Sequence, residues 1–162
     1  MDYPRDFLAF KAEPGVLEPF GWTWVHGSDE APWDDHSYLK PAERADPDIA
    51  ANVRAMTETN ALVDWVLVHE DGEYLGYWRG PQGRPSAASP VVMLDNEGQY
   101  RIQGDTLGGA VASLYDEDGA ELVAWLKARG IDVDPDCWPE GDPDPGELRD
   151  ERYTAILNGE DP

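Results

Sequence analysis

Between residues 64 and 103 the chain alternates short runs of β-branched and aromatic residues with turn formers, and this pattern constrains the fold more than any other feature. Trp65, Val66, Leu67 and Val68 run into Glu70-Asp71-Gly72, which is followed by Tyr74, Leu75, Tyr77 and Trp78. Val91, Val92, Met93 and Leu94 run into Asp95-Asn96-Glu97-Gly98, followed by Tyr100. Runs of this kind, each closed by Gly, Asn or Asp, predict strands near 64–69, 73–79, 91–95 and 99–103 joined by hairpins. Trp65, Val66, Val68, Trp78, Val92 and Leu94 are assigned to the fold. Between the hairpins, Gly80 to Pro90 makes a loop of about ten residues, longer than most connections and so a candidate contact loop.

The flanks read as helices and short pieces. Before residue 40 the apolar residues are interrupted by Pro14, Gly15, Gly21, Gly27 and Pro32, which predicts short segments packed on the core. Phe20, Trp22 and Trp24 alternate with the period of a strand near 20–26. Asp46-Pro47 marks a helix start, with Asp46 as cap and Pro47 at the first helical position. Ile49, Val53 and Met56 then supply an apolar stripe ending before Asn60. Asp105 can cap a helix bearing Leu107, Ala110, Val111 and Leu114; Gly108 and Gly109 weaken it, so it holds only if it packs. Asp118 and Glu121 have capping-box spacing for a helix presenting Leu122, Trp125 and Leu126 and ending at Arg129-Gly130. Residues 132–146 are rich in Asp, Pro and Gly and read as an extended connector. A final helix from about Pro145 to Leu157 offers Tyr153, Ile156 and Leu157 to the body or to a second copy of the chain.

The length of 162 residues suits one globular domain. Its 34 acidic and 12 basic residues give a net charge of −22. The excess is spread along the chain and densest after residue 131. Such a surface repels nucleic-acid phosphates and anionic lipid, so no direct nucleic-acid or membrane binding is expected, whereas a cationic protein would be attracted. Plain solubility and a generally acidic proteome explain the charge equally well. The single Cys137 cannot form an internal disulfide, and Met1 to Asp6 lack the basic and apolar regions of a secretion signal, so a cytoplasmic protein is expected.

Reactive groups are plentiful but do not form a centre. Asp64 with Glu70, Asp71 with Glu73 and Asp95 with Glu97 are hairpin neighbours whose turn geometry explains them without catalysis. Asp132, Asp134 and Asp136 imitate a calcium loop, but Cys137 and Pro143 stand where its Gly and Glu belong. Asp34, Asp35 and His36 could hold a cation weakly, yet His26, His36 and His69 lack ligand spacing with one another or with Cys137. An acidic setting should raise the Cys137 thiol pKa, which makes it a poor nucleophile. Gly104-Asp105-Thr106-Leu107-Gly108-Gly109 lacks the Lys of a phosphate loop and reads as a turn and cap. No catalytic residue, metal site or cofactor is therefore expected. Of the tryptophans, Trp65, Trp78 and Trp125 are assigned to the core, and Trp33 and Trp138 to exposed contacts.

In the order of its parts the chain resembles the SUKH superfamily, relatives of the yeast cell-wall-assembly regulator. The resemblance lies in the aromatic strand Trp65 to His69, the acidic Gly turn, Gly76-Tyr77-Trp78, the polar loop, Pro90 to Gly98, and Leu107 followed by the helix with Leu122 and Trp125. It covers residues 60–127 and rests on core and turn positions; the family's N-terminal pattern has no clear equivalent. It implies an α+β domain, with an antiparallel or mixed sheet flanked by helices, over residues 1–131, followed by the acidic connector and helix of residues 132–162. It also implies a non-enzymatic immunity protein that binds and neutralises a toxin, often a basic nuclease. Exposure and charge then nominate Asp71, Glu73, Arg84, Asp116, Glu117, Asp118 and Trp138 as partner contacts. The rival readings are a small carboxylate-dependent hydrolase or sugar-active enzyme, and an assembly scaffold that dimerises through its C-terminal helix.

Overall fold

Strand β1 (Trp22–Trp24), β2 (Val63–His69), β3 (Tyr74–Trp78), β4 (Val91–Leu94) and β5 (Tyr100–Gly104) form one antiparallel sheet in the order β1-β2-β3-β4-β5. The computed structural model describes residues 3–25, 40–140 and 143–159. Each strand pairs with its neighbour in sequence, and β2–β3 and β4–β5 do so through the tight turns their sequence indicates. Gly72 takes φ +95° and Gly98 φ +81°, a backbone region closed to most side chains, so each hairpin turn depends on its glycine.

Both faces of the sheet are covered, which is why β3 and β4 read as unbroken apolar runs rather than alternating ones. On one face Leu67, Leu75, Tyr77, Val91 and Met93 pack with Phe7 and Phe10 of α1 (Arg5–Ala12), with α4 (Leu107–Ala112), and with Leu122 and Leu126 of α5 (Glu117–Lys127). On the other, Val63, Trp65, Trp78, Val92, Leu94 and Tyr100 meet Met56 of α3 (Pro47–Asn60) and Leu148 of α6 (Pro145–Leu157). The arrangement is a three-layer α+β domain with a short α2 (Pro41–Ala45) leading into α3. Trp78 and Tyr77 are both 0% exposed, on opposite faces. Burial of each such side chain contributes about 1.5–3 kcal/mol.

A bulge in β2 divides that strand between the two cores. Trp65 opposes Gly76 and Leu67 opposes Leu75, which leaves Val66 as an extra residue. Upstream, Val63 and Trp65 face α3; downstream, Leu67 faces α1 and α5, and His69 follows on that same side against Trp22.

Helix starts follow local chemistry. Asp46 caps α3 through Oδ1, accepting from Asp48 N at 2.8 Å and Ile49 N at 3.3 Å, with Pro47 at the first position as expected. The buried stripe of α3, however, is Ala51, Ala55 and Thr59, with Ile49, Val53 and Met56 only half-buried. Helix α4 is capped by Thr106, whose Oγ1 accepts from Gly109 N at 3.0 Å, and not by Asp105. All six residues of α4 are buried, and its glycines admit neighbours: a Cβ at Gly108 would come within 2.5 Å of Leu126 Cδ1, and one at Gly109 within 2.9 Å of the Asp134 carbonyl. Helix α5 starts at Glu117 with Asp116 at the cap position and no side-chain cap bond, so the expected Asp118–Glu121 box does not form. The helix ends at Lys127, before the expected Arg129-Gly130, and the turn that follows reaches Gly130, whose φ of +74° is the left-handed conformation its sequence indicates.

Helix α1 was not expected; the sequence there predicts only short pieces, a description that fits the 3₁₀ turns Pro14–Val16 and Glu18–Phe20. The long loop, expected to be irregular, contains one 3₁₀ turn at Ser86–Ala88, anchored where Ser86 Oγ donates to Asp64 Oδ2 at 2.6 Å. The connector has no regular structure over residues 131–134, turns at residues 135–136, and is pinned where Trp78 Nε1 donates to the Pro143 carbonyl at 2.8 Å. It delivers α6 onto α3, where Arg152 Nε meets Glu58 Oε2 at 2.8 Å. Among the described residues no helix is long and apolar enough to cross a membrane.

Candidate partner-binding surface

The β2–β3 hairpin, the 3₁₀ turn Glu18–Phe20 and the start of α5 come together at one end of the molecule. Their junction is the Phe20 carbonyl, which accepts from Tyr115 Oη at 2.9 Å and lies 2.9 Å from His69 Nε2. Trp22 Nε1 donates to Tyr115 Oη at 3.2 Å, the Phe20 and Tyr115 rings are 4.7 Å apart, and the Trp22 and His69 rings meet edge-on at 4.8 Å. This ties β1, β2 and Tyr115, two residues before α5, into one aromatic knot.

Acidic groups reach the knot from two separate parts of the chain. Burial, and then the charges of Glu73, Asp71 and Glu70, push the Tyr115 phenol up against the lowering effect of its Trp22 hydrogen bond. Tyr115 is followed directly by Asp116 at the cap position of α5 and by Glu117 and Asp118 in its first turn, all exposed, where the positive end of the helix favours them. Alongside runs a groove of ≈ 320 Å³, with Val16, Pro19, Phe20, Leu122 and Trp125 as walls and Asp118 and Glu121 as its acidic members. Trp125 stacks on Phe10 at 5.7 Å, and Arg129 lies 3.7 Å from the centre of its ring while pairing with Glu13 at 3.2 Å. Such a groove suits a long cationic side chain, with its stem on the apolar wall and its head between carboxylates.

Of the residues nominated from sequence, Asp71, Glu73, Asp116, Glu117 and Asp118 fall at this end. Arg84 lies at the other end of β3. Its guanidinium is spent inside its own loop, with Nη2 donating to the Trp78 carbonyl at 3.0 Å and Nε to that of Arg79 at 3.3 Å. Trp138 is 56% exposed on the connector, next to a polar groove lined by Ile102, Pro139, Glu140, Asp144 and Glu147. Trp33, Asp34, Asp35, His26 and His36 lie outside the described residues. Trp65 and Trp78 are buried as expected, whereas Trp125 is half-buried and also lines the groove. Cys137 is half-buried, and burial together with Asp105 beside it pushes its thiol up, the direction expected for its acidic setting.

Phe20, Tyr115 and Glu121 were not nominated. The only local sign was that Tyr115 adjoins an acidic run; its bond to Phe20 spans 95 residues. Comparison with known proteins finds no matching family model, curated protein or solved structure.

Proposed function

We propose that the chain is a protein-binding module of SUKH type, acting as an immunity protein that occupies and neutralises a cationic toxin domain. The observation that supports this reading is the meeting of carboxylates from the hairpin and from the start of α5 around an aromatic knot beside an apolar groove. An aromatic anchor within an acidic rim is what a surface needs to steer and then hold a basic protein. The net charge of −22 extends that attraction over long range.

The test uses the polypeptide encoded beside this one, expressed as a basic C-terminal domain. Co-expression should rescue cells from that domain, and the purified pair should associate one to one. Association should slow steeply with added salt, and Asp71→Lys combined with Asp118→Lys should slow it by about tenfold or more at low ionic strength. A salt-insensitive on-rate unchanged in the double variant would remove this surface from the interface.

A further inference from the structure

The β2–β3 hairpin carries a second feature, which does not depend on the identity of any protein partner. His69, Asp71 and Glu73 sit at alternate positions, and one donor atom from each lies within 4.8 Å of the other two. The hairpin that groups them is closed by His69 N donating to the Glu73 carbonyl at 2.7 Å. The imidazole is held from outside the cluster: Nε2 lies 2.9 Å from the Phe20 carbonyl, the side chain is 12% exposed, and Trp22 packs on the ring. With the Nε2 proton given to that carbonyl, Nδ1 carries the lone pair. Nδ1 lies 3.4 Å from Asp71 Oδ2 and 3.1 Å from the Asp71 N–H. Among the described residues no Lys or Arg pairs with Asp71 or Glu73.

We propose that His69, Asp71 and Glu73 bind one first-row divalent transition-metal ion, with Zn²⁺ the best match. Electron-pair donors facing one another call for a cation between them. A backbone carbonyl fixing the far ring nitrogen is the usual support of a metal-ligating histidine. One imidazole nitrogen with two carboxylates suits Zn²⁺ and its neighbours better than Mg²⁺ or Ca²⁺, which prefer all-oxygen sets. Metal bonds of about 2.0–2.2 Å require the donors to close in by about 1 Å. Glu73 has the reach and Asp71, with a side chain 68% exposed, has the freedom to do so. Binding exchanges the Asp71 N–H···Nδ1 hydrogen bond for a metal bond, and three protein ligands leave a coordination position for water or for an incoming donor.

The test is a calorimetric titration of the full chain with Zn²⁺ in a large excess of Mg²⁺, which occupies the general acidic surface. One tight equivalent is expected, with a shift of the His69 Nδ1 resonance in NMR. Asp71→Asn and Glu73→Gln should each weaken it by about tenfold or more, since even loss of an outer supporting group costs 10–100-fold. His26→Gln with His36→Gln should leave it intact. No tight equivalent, unchanged affinity in Asp71→Asn, or loss of binding in the His26/His36 variant would each overturn the assignment. Asp71→Asn alters an exposed turn residue, so its folding is checked by an unchanged Tm without metal.

Discussion

Asp6 joins the first helix to the fourth. Its residue is 2% exposed, Oδ1 accepts from Phe7 N at 2.8 Å, and Oδ2 accepts from Gly108 N at 2.9 Å at the start of α4. Burial raises its pKa above the ordinary carboxylate value, and the backbone hydrogen bonds hold the rise back. Asp6→Ala should cost about 1–3 kcal/mol in urea denaturation, because the Gly108 N–H would be buried without an acceptor. Since the folded pKa is the higher one, the favourable term from Asp6 is fully present below the unfolded value near 3.9 and is lost as pH rises through the folded value. The stability of the wild type relative to Asp6→Asn should therefore fall with rising pH; an unchanging difference would show that Asp6 titrates alike in both states. An acid at a buried position also explains why α1 was illegible from sequence: Asp6 shares the buried side of an eight-residue helix with Phe7 and Phe10, while the apolar Leu8 is exposed.

Among the elements, α6 shows most clearly how a cap acts together with packing. Asp144 Oδ2 accepts from Glu147 N at 3.1 Å, and the helix it opens lies along α3. Asp144→Ala should cost about 1 kcal/mol, and Asp46→Ala a similar amount through α3, both read as denaturation midpoints at unchanged slope. Helix α3 was legible from Asp46-Pro47, because proline belongs at the first position and the acid before it is then the cap, and α6 starts with the same pair at Asp144-Pro145. No proline marks α5, and in Asp116-Glu117-Asp118 the cap could be assigned two residues too late. The hairpins were legible through their glycine turns. The candidate surface was legible only as acids in turns, because the pairing of Phe20 with Tyr115 is a product of tertiary structure that no local pattern encodes.

For the whole molecule, charge and layering act in opposite directions. A net charge of −22 on 162 residues opposes the compact state by self-repulsion, while two buried faces hold the sheet. Raising ionic strength from ~0.01 to ~0.15 M shortens the Debye length from ~30 to ~8 Å, and Tm should rise over that range in scanning calorimetry. A flat response would mean that the unfolded chain repels itself as strongly as the folded one. The layering also makes β2 sensitive to its length. Each residue lost or gained there turns every later side chain to the opposite core, as happens in any strand packed on both sides. Val66 is the exception, because the pairing with β3 already passes over it, although on the β1 side its carbonyl accepts from Val25 N at 2.9 Å. Its removal would straighten the strand and leave Leu67 and His69 on the sides they now occupy, so β2 contains one position at which evolution can change the length of the chain without turning the sheet inside out.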